Sequence, residues 1–185
     1  MESQLMKYYK EKSRVEKLSI HHLVNTLPNK PANAIEFINY CRSMMDTSSC
    51  NEANLATIDQ NDCLLWRELR NARITASKMH EEAHCKVFEG TLCESIMGAI
   101  KLKDTEAMKR GRLLEKKVLK EVEKKMKLKI NGCGLILNPN YLVFGASPDD
   151  ESIDNSIEIK CPSSEKAMSS NFKSIYIILD NGSPN

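Results

Sequence analysis

Residues Phe144 to Cys161 read FGASPDDESIDNSIEIKC. The stretch sets Asp149 at the end of one apolar run, and Glu158 and Lys160 two residues apart on the next. Strand side chains alternate faces, so Glu158 and Lys160 point the same way while Ile159 turns to the opposite side. Two carboxylates and an ammonium therefore converge. Carboxylates a few ångströms apart repel unless a divalent cation sits between them, and hard oxygen ligands of this kind suit Mg²⁺ or Mn²⁺. A lysine beside such an ion can hold a water-derived nucleophile or a phosphoryl oxygen, the equipment of metal-assisted phosphodiester hydrolysis.

The chain around this stretch has 185 residues, enough for one domain with a real core or one domain plus a helical extension. Its net charge of +2 hides a local excess: between Lys101 and Lys129, Lys and Arg number 12 against 5 acids. Such a segment faces nucleic acid, or it merely solvates the outside of a helix. The seven cysteines are odd in number and show no framework spacing, and the start, MESQLMKYYKEK, is charged rather than apolar. Free thiols in a reducing intracellular compartment are expected. No apolar run approaches the roughly 20 residues of a membrane span, so no membrane partner is expected.

Periodicity predicts a helix from Glu2 to about Leu27 and, after a break at Asn29 to Pro31, a second from Ala32 to Met45, where Ile35, Ile38 and Cys41 recur at three-residue steps. MDTSSCNEAN then reads as a linker. Residues 1–52 are accordingly expected to form a helical N-terminal extension, and 53–185 the domain proper. The segment DCLLWRELRNARITASKMHEE opens with a short helix bearing Leu65, Trp66 and Leu69. RITAS is extended or turn-like, and Ser77 suits the N-cap of the next helix. Thr91 with Glu94 makes a capping box for a helix to about Ile100.

Thr105 opens the longest helix, to about Lys127. On it Glu115 shares the inward stripe with Gly111, Val118, Leu119 and Val122, while Lys116, Lys117, Lys120, Glu121 and Lys124 fall mostly outward. An inward carboxylate is expensive without a partner. Glu115 is thus a site residue or one half of an ion pair at the stripe's edge. LKINGCGLILN, YLVFGAS and SIEIKC read as strands, punctuated by NPN and by Asp154-Asn155. A helix in SSEKAMSS and a strand in KSIYIIL follow.

A helix with Glu115, a meander, Asp149, then Glu158-Ile159-Lys160 and another helix resemble, in that order, a PD-(D/E)xK nuclease. Within that superfamily WRELRNARITAS, GRLLE, GASPD and EIKCP, in order over roughly residues 60–166, resemble the phage lambda exonuclease and YqaJ-type viral recombinase family. The implied fold is α/β (α+β), a restriction-endonuclease-like core with a short mixed β-sheet flanked by helices. The resemblance implies that Asp149, Glu158 and the Ile159 carbonyl ligate catalytic Mg²⁺ or Mn²⁺. Glu115 would bind or orient a second metal or its water, and Lys160 would position and activate the nucleophile. Arg70, Ser77 and Ser147 would grip a 5′-terminal phosphate. Lys166 stands where the family often has an arginine, which implies looser end recognition. Linear duplex DNA as substrate and a homo-oligomeric ring are implied in the same way.

Two functional readings follow. One is a metal-dependent, 5′-end-recognising DNA exonuclease of recombination or repair. The other is a catalytically inactive module of the same fold that binds DNA ends or a partner. The second gains weight because family members continue with a glutamine-bearing helix and a closing strand, whereas only 25 residues, none of them glutamine, follow Lys160 here. The core is thus expected to be incomplete at its C-terminal side. A remote third reading comes from His80-Glu81-Glu82-Ala83-His84, which matches the HExxH zinc-protease signature without a specified third ligand; a structural zinc on His80, His84, Cys85 and Cys93 is its milder form. Plain structural roles stand beside each assignment: Arg70 paired with Glu68 or Asp62, Ser77 only a cap, Ser147 only a turn residue, and Trp66 in the core.

Overall fold

The structure, a computed structural model, describes residues 14–87, 89–98, 105–159 and 177–178. It is a mixed helix and strand chain that divides into two compact units, one formed by Met1–Lys101 with Cys133–Ser147, the other by Leu102–Gly132 with Pro148–Asn185.

In the first unit residues 14–16 are helical, and after them come α1 (Ile20–Asn25), α2 (Ala34–Met44), α3 (Thr47–Ala56), α4 (Leu64–Arg70), α5 (Ala76–His84) and α6 (Thr91–Ile96). The long N-terminal helix expected from periodicity is interrupted at residues 17–19, because the Ser19 hydroxyl accepts the His22 amide and starts α1 afresh. The second helix forms as predicted, with Asn33 capping the Glu36 amide at 3.0 Å. The predicted linker is instead α3. Asp46 accepts both the amide and the hydroxyl of Ser49, at 2.8 and 2.7 Å, and the helix buries Ser49, Cys50 and Ala53. Polar residues that look like loop material thus serve as a cap, and two small apolar residues suffice for an inward face.

Two further expectations about caps fail. Thr75 occupies the N-cap of α5, with Ser77 inside the first turn, and Gly90 rather than Thr91 precedes α6, which ends at Ile96. Gly90 sits at φ +140°, open to glycine alone, so the chain enters α6 from a conformation that no threonine cap needs to fix.

Val15, Leu18, Leu23, Cys41, Met45 and Cys50 share one core with Trp66, Leu69, Leu135, Leu137 and Leu142. Burying an aliphatic side chain stabilises by roughly 1.5–3 kcal/mol, so Val15, Leu18 and Leu23 alone contribute an amount comparable to the net stability of a whole domain. The N-terminal helices are therefore structural members of this unit. Arg73, 1 % exposed, ties its segments together: Nε donates to the Leu142 carbonyl at 3.0 Å, and the two terminal nitrogens donate to the carbonyls of Leu18 and Leu69. Burial pushes its pKa down to about 10.

Strands β1 (Ile74–Thr75) and β3 (Phe144–Gly145) pair in parallel, Ile74 with Phe144 and Thr75 with Gly145, and Ile136 bridges Ala146. Gly134 lies where the chain passes against α3: a Cβ there would come within 2.0 Å of the Asn54 carbonyl oxygen. Next to it the Thr57 hydroxyl accepts the Leu135 amide at 2.8 Å.

The second unit holds helix α7 (Glu106–Met126), opened as expected by Thr105, whose hydroxyl accepts the Met108 amide at 3.2 Å. Its antiparallel sheet runs in the order β2 (Asn131–Gly132), β4 (Asp150–Ser152), β5 (Asn155–Ile157), β6 (Ile177–Ile178). Among the described residues the parallel pair and this meander form two sheets. The strand predicted in SIEIKC ends at Ile157, and a hairpin with Ile153 and Asp154 at its turn joins it to β4. The helix expected in SSEKAMSS lies outside the described residues.

Candidate active site: an anion cradle and an acidic cluster

In the first unit the motif WRELRNARITAS folds into α4, β1 and the start of α5. Trp66, 8 % exposed, does more than fill the core. Its indole Nε1–H donates to Ser147 Oγ at 2.9 Å, and its ring lies under the Arg70 guanidinium, 3.9 Å from the ring centroid. One side chain thus fixes two of the residues assigned to a terminal phosphate. Ser147 has a tertiary partner, so its role exceeds that of a turn residue. Arg70 pairs with neither Glu68 nor Asp62, and burial draws its pKa below the usual arginine value. A partly buried guanidinium held by a ring, without a carboxylate among the described residues, is a cation awaiting an anion.

Register sets Ser77 past the same end of the strand pair as Ser147. Thr75 pairs with Gly145 in the parallel ladder, and Ser77 and Ser147 each lie two residues beyond that pair, past the same end of the two strands. Ser77 also falls in the first turn of α5, where Thr75 makes no side-chain capping bond, so first-turn amides stay available to an anion. The Ser77 and Thr75 hydroxyls meet at 3.1 Å. A separate open cleft of about 690 Å³, lined among others by Ser19, His21, His22, Arg67 and Asn71, includes none of the predicted residues.

The acids lie in the second unit. The β4–β5 register pairs Asp150 with Ile157, and continued by one residue it sets Asp149 opposite Glu158. Alternation appears in the burial: Ile157 and Ile159 are buried, and Glu158 between them is half-buried. Asp149 Oδ2 accepts the Ile159 amide, which ties the two acid-bearing segments together directly. Sequence reasoning missed Asp150 and Glu123. Burial, first, and then the charges of Asp149, Glu115 and Glu123 push the Asp150 carboxyl up to about 6, which places all four acids in one negative field. The doubled acid in SPDD, and Glu123 two helical turns beyond Glu115, were the available signals. Lys160 and Lys166 lie outside the described residues.

Among the described residues no three His, Cys, Asp or Glu side chains are gathered closely enough to hold an ion. For His80, His84, Cys85 and Cys93 this removes the zinc reading. The two imidazole rings meet tilted at 44°, their centroids 4.4 Å apart, and the His84 Nδ1 is engaged with the His80 carbonyl at 2.8 Å. For the acids, the donor chemistry fits a hard divalent cation, since crowded carboxylates that raise a neighbour's pKa carry the excess negative charge such an ion neutralises.

The YqaJ-like viral recombinase domain matches residues 65–176, more than half of the chain and inclusive of Trp66, Arg70, Ser77, Glu115, Ser147, Asp149, Glu158 and Lys160. The protein belongs to this family, a nuclease family of phage-type recombination whose substrate is DNA. No curated protein and no solved structure matches it. No helix among the described residues is long and apolar enough to cross a membrane.

Proposed function

We propose that the protein is a divalent-metal-dependent exonuclease that engages the 5′-phosphorylated end of linear duplex DNA. The observation that carries this reading is the Arg70 guanidinium resting on Trp66 beside Ser147 with no carboxylate partner among the described residues. A planar fork with small hydroxyls suits a dianionic terminal phosphate, which an internal phosphodiester cannot supply.

Asp149, Glu158 and the Ile159 carbonyl would hold Mg²⁺ or Mn²⁺, with Glu115 serving a second ion or its water. When bound, the ion supplies Lewis-acid polarisation of the phosphoryl oxygen and stabilises the leaving oxygen. Asp149 fixes the Ile159 peptide by accepting its amide, which orients the neighbouring carbonyls. Lys160 positions the attacking water and takes part in its activation. Arg70, Ser77 and Ser147 hold the terminal phosphate through a planar fork and two hydroxyls. Lys166 adds a charge without the directional fork of an arginine.

The test is degradation of linear duplex DNA bearing 5′-phosphates, with and without Mg²⁺, by wild type, Asp149→Asn and Lys160→Ala. The expected result is metal-dependent release of nucleotides by wild type alone, faster from 5′-phosphate than from 5′-hydroxyl ends. Digestion that survives Lys160→Ala refutes the lysine's role. If wild type and variants all bind ends and none digests, the protein is an end-binding module of the same fold.

A further inference from the structure

We infer that the outward face of α7 is a second, sequence-independent contact for the duplex backbone, centred on Lys117, Lys120 and Lys124. The inference rests on DNA as the substrate, but not on cleavage. At 3.6 residues per turn these three lysines fall on one side of the helix, the side away from Glu115 and the buried Val122. All three are exposed, and none makes an ion pair among the described residues. On the same face Lys109 does pair, with Glu106 at 2.8 Å.

Between Lys117 and Lys124 the outward face carries three lysines and the acid Glu121, which stands four residues after Lys117 and three before Lys124, so positive charge is in excess. Lys117 and Lys120 stand at i, i+3 and Lys120 and Lys124 at i, i+4, spacings at which like charges destabilise a helix. A polyanion removes that repulsion. From Lys109 to Lys124 the face extends about 22 Å, which parallels roughly six base-pair steps of duplex backbone. Its large apolar side chain, Leu113, is 71 % exposed and isolated among the cations. One leucine is far too little apolar surface for a protein docking patch or an interfacial membrane helix. Charge complementarity therefore selects phosphates.

The experiment measures binding of the full chain to blunt duplex DNA in chelator, so that no cleavage is required, across a salt titration. Lys117→Gln/Lys120→Gln/Lys124→Gln should lower the slope of log affinity against log salt by about 2.7, the loss of three phosphate contacts. Between about 50 and 200 mM salt, wild type should then lose roughly fortyfold more affinity than the variant. The triple Lys→Arg variant keeps the charge and should keep the slope. Circular dichroism and a melting curve confirm folding of each variant. An unchanged slope in the folded Gln variant overturns the inference, as does loss of slope in the Arg variant. Selective loss of binding to a polyglutamate peptide, with the DNA slope intact, assigns the face to an acidic protein and likewise overturns it. Failure of wild type to digest DNA would refute the proposed catalysis and leave this measurement able to decide the question of the face.

Discussion

Trp66→Phe is the sharpest probe of the anion cradle. It removes one donor and changes one ring while leaving Arg70 and Ser147 in the sequence. The lost indole bond to Ser147 Oγ, 2.9 Å long, is worth about 1 kcal/mol. Replacing the indole face by a benzene face under the Arg70 guanidinium, now 3.9 Å from the ring centroid, removes about 0.5–1 kcal/mol more. The sum, about 1.5–2 kcal/mol, corresponds to roughly ten- to thirtyfold in affinity. It should fall on recognition of the terminal phosphate alone, because Trp66 is buried and is expected to reach DNA only through its two partners.

The assay compares affinity for duplexes that differ only in a 5′-phosphate or 5′-hydroxyl, with metal chelated. The ratio of the two affinities should drop ten- to thirtyfold in Trp66→Phe, with 5′-hydroxyl binding nearly constant. Arg70→Gln should abolish the ratio. Crossing Trp66→Phe with Ser147→Ala should reveal a coupling of about 1 kcal/mol, since both remove the same hydrogen bond. A ratio unchanged in Trp66→Phe but lost in Arg70→Gln would refute the positioning role of the tryptophan. A ratio indifferent to both would remove Arg70 from phosphate recognition altogether.

Three further outcomes follow from the packing. Arg73→Met keeps the volume but strands three buried carbonyls, and after the relief of a buried charge it should still cost about 2–3 kcal/mol in urea unfolding; a loss below about 1 kcal/mol would show that the clamp adds little. Gly134→Ala drives a Cβ to 2.0 Å from the Asn54 carbonyl, so the backbone must part there, and a destabilisation of about 3 kcal/mol is expected; a neutral melting curve contradicts the close approach. Burial pushes the Cys41 and Cys50 thiols from 9.0 up to about 11. Their folded-state pKa values lie above the unfolded ones, so stability contributed by the protonated thiols is full below the unfolded value and is lost as pH rises toward the folded one. Urea midpoints should therefore fall between about pH 9 and 11, and more steeply than in Cys41→Ala/Cys50→Ala; equal slopes refute the assignment.

The sequence was readable where periodicity and cap agree. Asn33 and Thr105 each precede a helix whose apolar residues repeat at helical spacing, and α2 and α7 form within a residue or two of expectation. Reading failed where one residue type serves two purposes. Asp, Ser, Thr and Asn satisfy turns as readily as helix ends, so Met45 to Asn54 looked like loop. Only the burial of Cys50 and Ala53, a tertiary fact, decides for helix. The acids were located by motif, yet Asp150 escaped because alternation assigns one acid per face and says nothing of a field that reaches across both. The link between Trp66 and Ser147 spans 81 positions, a distance at which no local pattern carries information.

The two arginines of RNAR show the limit most clearly. Arg70 and Arg73 stand three residues apart in one motif, and by composition either could hold a phosphate. Arg73 is nine-tenths or more buried and spends its donors on the carbonyls of Leu18, Leu69 and Leu142. Each of its three nitrogens donates to a carbonyl, and its positive charge is tolerated because three carbonyl dipoles point at it. Arg70 rests on an indole face, which attracts the charge but accepts none of its N–H hydrogens in the plane of the fork. The difference lies in where residues 18 and 142 arrive, far from both arginines in the chain. An anion added to the first unit would have to displace three internal bonds to reach Arg73, and none of that kind to reach Arg70. Which of the two arginines can receive an anion is therefore set by the fold's disposal of carbonyls, and of this pair Arg70 is the one left with donors to offer.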